Sequence, residues 1–344
     1  MDFWVFDFAI RDTLSTLQAR SHICELCRLL YASSKKLTVM SSVEFRRVGS
    51  VLTLGTPEAP ALSICRANLN YLNGRNNPPE EIQIGFPKLP EIGSLTQFEV
   101  LRQWLEDCDN NHNRCYSDGF GPYPARTPTR LIDVGQGMNS ETVRLLETVD
   151  LQEEIGHSQP VQFSYIALSH PWGDRNHHQH FCTTWENIDD HKTGILDSNL
   201  PNTFRDAVRV TRELNVRYLW IDSLCIVQGE DGDFEEEAQH METVFSSAFC
   251  VIAASCATGT SDGFLQQRPN RTVVTIDRSP ESPFYICEAI DDFQRYVVEG
   301  PLNKRGWVLQ ERALARRTIY FTERQVYWEC GDGIRCETLT RMRK

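Results

Sequence analysis

An α/β fold built on a parallel sheet is what the sequence predicts, and three observations predict it. Strand-like and helix-like stretches alternate between residues 163 and 256. The first helix-like stretch keeps its apolar residues on one arc at about 100° per residue. The composition, 40% hydrophobic and 24% charged over 344 residues, can supply a core for such a sheet.

The elements follow in chain order. Residues 1 to about 130 read as irregular. Turns are marked at Gly55-Thr56-Pro57, Asn76-Asn77-Pro78-Pro79 and Gly121-Pro122-Tyr123-Pro124. A few strands and two short helices are expected there. The run Phe163 to Ser169 (FSYIALS) reads as a strand. Thr203 to Leu214 reads as a helix, with Phe204, Ala207, Val208, Thr211 and Leu214 on its apolar side. Thr203 followed by Asp206 resembles a capping box. Tyr218 to Asp222 is a strand, Asp233 to Ser247 a helix and Phe249 to Ala254 a strand. Strand–helix–strand–helix–strand implies parallel pairing through crossover helices. Residues 271 to 344 add further strands, including Thr318 to Phe321 and Gln325 to Trp328.

The second helix carries Glu235, Glu236 and Glu237 in succession. Phe234, Ala238, Met241, Val244, Phe245 and Ala248 define its apolar arc, and Glu237 falls about 40° from Met241, inside it. Glu235 and Glu236 fall outside. A carboxylate on a buried face must be paired or shifted in pKa. Glu237 is therefore either half of an ion pair with an internal arginine or a site carboxylate.

Ligands of open parallel sheets sit beyond the carboxyl ends of the strands. The first strand ends in Ser169-His170-Pro171-Trp172-Gly173-Asp174, the second in Asp222-Ser223. Trp172 is placed to stack on a flat ring, and Gly173 lets backbone approach a ligand. A tight turn with a packing Trp is the competing reading. The later segment Lys304-Arg305-Gly306-Trp307-Val308-Leu309-Gln310-Glu311-Arg312 concentrates arginine, tryptophan and acid. Arg305 suits pairing with Glu237 or clamping a phosphate.

The net charge is −12, which argues against a general nucleic-acid binder. No stretch approaches the ~18 apolar residues of a membrane span. The N-terminus MDFWVFDFAI lacks the basic region of a secretory signal. Twelve cysteines then read as reduced thiols or metal ligands in a cytoplasmic protein. Cys24 and Cys27 form a CxxC, and Cys108, His112 and Cys115 a C-x3-H-x2-C about 80 residues later. Cys24, Cys27, His112 and Cys115 make a candidate structural zinc set. The alternative places Cys24 and Cys27 as small core residues on a helix. His177, His178, His180 and His191 read as surface histidines. Cys225 has no histidine near it in sequence and does not read as a nucleophile.

Four blocks now point to a family. FSYIALSHPWGD, LPNTFRDAVRVTRELNVRYLWIDSLCIVQ, DFEEEAQHMETVFSSAFCVIAAS and RGWVLQERALARRTIYFTERQVYWEC resemble, in order, the fungal heterokaryon-incompatibility (HET) domain. The likeness runs over about residues 163 to 313, with the tail to about 337 fitting. Cys24-Glu25-Leu26-Cys27 and the Trp104 to Cys115 segment resemble stretches upstream of such domains.

The resemblance implies a TIR-like, flavodoxin-like parallel sheet with flanking helices, plus an irregular α+β N-terminal extension. Residues 1–150 would form that extension and 160–337 the HET domain. It implies a filamentous-fungal effector of non-self recognition and programmed cell death, with an incompatibility partner protein. Some TIR domains cleave NAD, so by analogy NAD or a related nucleotide is the candidate ligand or substrate. No cofactor is implied for the fold of the HET domain itself. Ser169, Trp172, Gly173, Ser223, Arg305, Trp307 and Glu311 would bind the ligand. Glu237, with Asp222 second, would be the carboxylate that stabilises an oxocarbenium-like ribose. The glutamate of active TIR enzymes follows the third strand, whereas Glu237 precedes it. The sequence also departs from the family at His170-Pro171 and at Phe234, where Trp is usual. The alternative function is a non-enzymatic module that signals by self-association as a homo-oligomer. The chain stops at Arg341-Met342-Arg343-Lys344, directly after a family block, and reads as a fragment or a short member.

Overall fold

The structure is a computed structural model that describes residues 9–37, 42–55, 59–66, 85–112, 115, 127–135, 140–155, 163–174, 180–277, 284–306, 308–339 and 341–342. Trp307, His177, His178 and the turns expected at 56–57, 76–79 and 121–124 lie outside those residues. The chain divides into two compact units. One holds residues 1–90, 269–291 and 336–341; the other holds 91–268, 292–335 and 342–344.

The first unit is more regular than its sequence suggests. Strands β1 (Ala9–Thr13), β2 (Ser42–Val48), β3 (Val51–Leu54) and β4 (Ala59–Arg66) pair in sequence as an antiparallel meander. Two strands from far along the chain, β11 (Val273–Asp277) and β12 (Phe284–Glu288), complete a six-stranded sheet by pairing β12 with β4. In β2, Val43, Phe45 and Arg47 alternate inward, as a sheet with one packed face requires. Helices α1 (Leu14–Arg20) and α2 (Glu25–Leu37) add Leu17, Leu29 and Leu30 to a core that includes Phe45, Leu52, Leu62 and Ile286. Thr13 caps α1 by accepting the Thr16 amide at 3.1 Å.

The second unit is a mixed α/β structure. Its parallel centre comprises β7 (Tyr165–Ser169), β9 (Tyr218–Trp220), β10 (Cys250–Ala253) and β13 (Arg317–Phe321). Ile166 lies opposite Leu219, and Leu168 opposite Ile252. Every residue of β7, β10 and β13 is buried, as strands covered on both faces should be. The predicted sheet is parallel throughout; this one is not. Antiparallel strands β5 (Arg130–Asp133) and β6 (Thr142–Glu147) extend it beyond β9, followed by β8 (Ile195–Leu196). On the other flank β14 (Val326–Cys330) pairs antiparallel with β13, and β15 (Gly333–Cys336) follows. Running from β15 to the far edge, the order is β15-β14-β13-β10-β7-β9-β5-β6-β8.

Helices α4 (Thr148–Ile155) and α5 (Ile188–Thr193) flank the first parallel strand in sequence, and the crossover helices fall where alternation placed them. Helix α6 (Asn202–Glu213) buries Phe204, Ala207, Val208 and Thr211. Its expected capping box is used differently. Thr203 Oγ1 donates to the Gly259 carbonyl at 3.0 Å, and Asp206 Oδ2 accepts the amides of Phe264 and Leu265 at 2.7 and 2.9 Å. Both side chains hold the 259–265 loop rather than their own helix end. Gly263, at φ +78, brings that loop so close that a Cβ would sit 2.7 Å from Asp206 Oδ2.

The helix expected over 233–247 is two helices, α8 (Phe234–Ala238) and α9 (Met241–Ser247). The break at Gln239-His240 rotates the first turn, and Phe234 is exposed instead of apolar-facing. Glu237 is buried and Glu235 and Glu236 are exposed, as the wheel required. Helix α10 (Val308–Leu314) precedes β13. Helix α3 (Leu95–Asn111), capped by Ser94, buries Phe98, Leu101, Trp104, Leu105 and Cys108 in this same unit. The Trp104 and Trp328 ring centroids are 6.4 Å apart.

Candidate functional site

Buried polar groups converge beyond the carboxyl ends of β7 and β9. Ser169 ends β7 and His170 follows it, both buried. Pro171 and Gly173 then turn the chain, Gly173 at φ +85, a backbone state glycine adopts without strain. The turn presents Trp172, whose Nε1 donates to Asp222 Oδ2 at 2.7 Å. Asp222 starts the short helix α7 (Asp222–Cys225) after β9 and accepts the Ser223 amide on Oδ1 at 2.7 Å. His170 Nδ1 is 3.8 Å from that same oxygen. Arg305, entering before α10, donates to the His170 carbonyl. Glu311 comes up from α10 beside Ser169, with Asp222 and Arg305 as its charged neighbours.

The electrostatics are unusual for a core. Burial pushes the Glu311 carboxyl up to about 7, and the Asp222 charge adds to the shift. The Ser169 hydroxyl and Arg305 act the other way. Burial also lowers His170 to about 4, overriding Asp222, so its ring is neutral at physiological pH. That ring packs edge-on to Phe204 at 5.1 Å. Beside the Ser169–Glu311 contact, four buried side-chain atoms here have no hydrogen-bond partner: His170 Nδ1 and Nε2, His180 Nε2 and Ser223 Oγ. Buried polar atoms are normally satisfied, so such a concentration calls for a reason. His180 stands edge-on to Trp172 at 5.3 Å. His191 stacks on Phe181 and shares a 2.9 Å hydrogen bond with Thr183. Both are half-buried packing groups, not the surface histidines expected.

Seven residues singled out from sequence are thus brought together: Ser169, Trp172, Gly173, Asp222, Ser223, Arg305 and Glu311. Sequence reasoning passed over His170 as a mere departure from the family pattern. Its position immediately after the apolar run Tyr165 to Leu168 and the strand-end Ser169 was the signal available. Glu237 stands elsewhere. It lines a shallow hollow with Thr127, Thr129, His240 and Val244. Arg305 does not pair with it. The internal arginine beside α8 is Arg130, and it is taken by Asp233 at 2.5 Å, Glu147 at 3.2 Å and the Cys225 carbonyl at 2.9 Å. The Cys225 thiol is pushed up to about 12 by burial, so it keeps its proton.

A second cluster in this unit can hold a metal ion. Cys108, His112, Cys115 and Cys330 are all buried, and their ligand atoms lie within 4.8 Å of one another. This corrects the expected ligand set. His112 and Cys115 are in it, but Cys24 and Cys27 belong to the first unit, where Cys24 Sγ accepts the Cys27 amide at 3.3 Å at the start of α2. Cys27 packs against that unit's core. Cys330, at the end of β14, is the member that spacing did not reveal.

The comparisons with known proteins bear on the same unit. Residues 165–311 match the model of a family described as "Heterokaryon incompatibility protein (HET)". The chain is similar to "Heterokaryon incompatibility protein 6, OR allele" of Neurospora crassa, with 26% identity over 195 residues. That alignment covers 46% of this chain and 28% of the relative. No solved structure matches. The matched segment runs from the first residue of β7 to Glu311, so it contains the whole strand-end cluster.

Proposed function

We propose that this chain acts in fungal heterokaryon incompatibility, and that its working part is the strand-end cluster around Glu311, which takes a nucleotide of the NAD type. The observation that carries the reading is the convergence of unsatisfied buried polar groups with a neutral-range carboxyl. They gather where open α/β sheets take ligands. The parallel strands run β9-β7-β10-β13, that is second, first, third, fourth along the chain. A TIR-like, flavodoxin-like sheet has this order. Glu311 also follows the third parallel strand, as the glutamate of active TIR enzymes does. Glu237 does not.

In this reading the bond broken joins ribose C1′ to the nicotinamide nitrogen, and its electron pair leaves with nicotinamide. The positive charge developing on the ribose is met by the Glu311 and Asp222 carboxyls. Water adds to C1′, and ionised Glu311 accepts its proton. A carboxyl titrating near 7 is suited to both states. Arg305 faces phosphate, and Trp172 stacks on a ring.

Inducible expression in a filamentous fungus tests the biological part. The parent chain should arrest growth, and Glu311→Gln and Trp172→Ala at matched protein levels should not. Unimpaired growth with the parent chain, or arrest by all three, would refute the reading.

A further inference from the structure

We propose that Cys108, His112, Cys115 and Cys330 bind one zinc ion, which fastens the end of helix α3 to the turn between β14 and β15. Three of the ligands come from one local device. Cys108 and His112 are four residues apart at the last turn of α3, and the His112 amide donates to the Cys108 carbonyl at 3.2 Å. The next bend brings Cys115 back, its amide donating to the His112 carbonyl at 2.9 Å. The fourth ligand arrives from 218 residues beyond His112, on β14.

The spacing suits a tetrahedral ion. His112 Nδ1 is 3.4 Å from Cys330 Sγ. Zn–S and Zn–N bonds of about 2.3 and 2.0–2.1 Å at the tetrahedral angle separate the two ligand atoms by about 3.5 Å. Three thiolates and an imidazole, all buried, form a closed set without the open position that a catalytic metal keeps. The softness of the donors selects zinc over magnesium or calcium.

The surroundings are those of a metal site as well. His112 turns its other ring nitrogen to Asp332, with Nε2 3.3 Å from Oδ2. Arg335 Nη2 stands 3.1 Å from that same nitrogen, so neighbouring side chains hold the ring with Nδ1 turned to Cys330. The Asp332 amide donates to Cys330 Sγ at 3.4 Å. Arg335 Nη1 holds Asp107 at 2.5 Å, placing positive charge beside a set whose three thiolates exceed the charge of one zinc ion. The proposal is independent of any nucleotide chemistry, because its ligands are not those of the Glu311 cluster.

Elemental analysis of the purified full chain tests it. One zinc per chain is expected in the parent and in Cys24→Ser/Cys27→Ser. At least a tenfold loss is expected in Cys330→Ser and in Cys108→Ser. If those variants do not fold, the parent itself decides. Titrating its thiols with a mercurial should release one zinc to a metallochromic dye, and cobalt replacement should give thiolate-to-cobalt bands with tetrahedral d–d absorption. A parent chain folded in zinc-supplemented medium that carries less than a tenth of an equivalent would overturn the proposal. So would zinc that survives Cys330→Ser but is lost with Cys24 and Cys27.

Discussion

Glu311→Gln is expected to be more stable than the parent by about 3 kcal/mol at pH 8 and indistinguishable from it at pH 4.5. The carboxyl titrates near 7 in the folded chain, against 4.5 for an unburied one. Below pH 4.5 it is protonated folded and unfolded, and contributes no difference. Between 4.5 and 7 the unfolded chain releases the proton and the folded chain keeps it. The folded state then binds more protons, so its stability falls as pH rises. A difference of about 2.5 units at about 1.36 kcal/mol each gives the magnitude. Glutamine keeps the shape and removes the charge. Urea unfolding of both proteins across pH 4.5–8 reads the effect as a difference, in which other titrating groups cancel. A variant equally destabilised at every pH would mean that Glu311 is an ordinary structural carboxyl. A gain in stability with loss of function is the pattern of a residue kept for its chemistry.

Arg130→Met should destabilise the second unit by about 3–5 kcal/mol, the range for removing one partner of a buried pair. The guanidinium is nearly inaccessible and joins β5 to Asp233, Glu147 and the Cys225 carbonyl. Asp233 depends on it while also accepting the Val227 amide at 2.8 Å, which shapes the entry to α8. Glu147 keeps Lys192 at 3.0 Å, so most of the loss falls on Asp233. Pairing the change with Asp233→Asn should recover part of it, because the stranded charge is removed. Equilibrium unfolding of the two variants measures both numbers. A loss under 1 kcal/mol would show that water satisfies Asp233 without the arginine.

The parallel centre of the second unit was legible because its signals are local. Apolar runs such as YIALS and the arc of α6 are set by neighbouring residues. Strand β14 was legible too, within the predicted Gln325 to Trp328 run, but the flank beyond β9 and the closure of the first unit's sheet were not. β5 and β6 precede the parallel strands in sequence, and β12 reaches back to β4, pairings that no periodicity encodes. Phe234 was misplaced because wheel arithmetic ran straight through the break at Gln239-His240. The candidate site was readable where a strand ends in polar residues, at Ser169 and Asp222. Glu237 stood out by its place on a helix wheel. Glu311 lay in a segment dense with charge, and only the three-dimensional neighbours Ser169, Asp222 and Arg305 distinguish it. Cys330 followed the same rule, since a ligand on a distant strand leaves no spacing to read.

The reading proposed for Glu311, beside the ends of the parallel strands, is action on an NAD-type nucleotide. Chromatographic detection of nicotinamide after incubating NAD with the parent chain, Glu311→Gln and Glu237→Gln tests it most directly. Release is expected from the parent and from Glu237→Gln, and at least a hundredfold less from Glu311→Gln, of the size removing one charge-stabilising group has elsewhere. Absence of release by folded parent chain at high concentration, or release undiminished in Glu311→Gln, would contradict it.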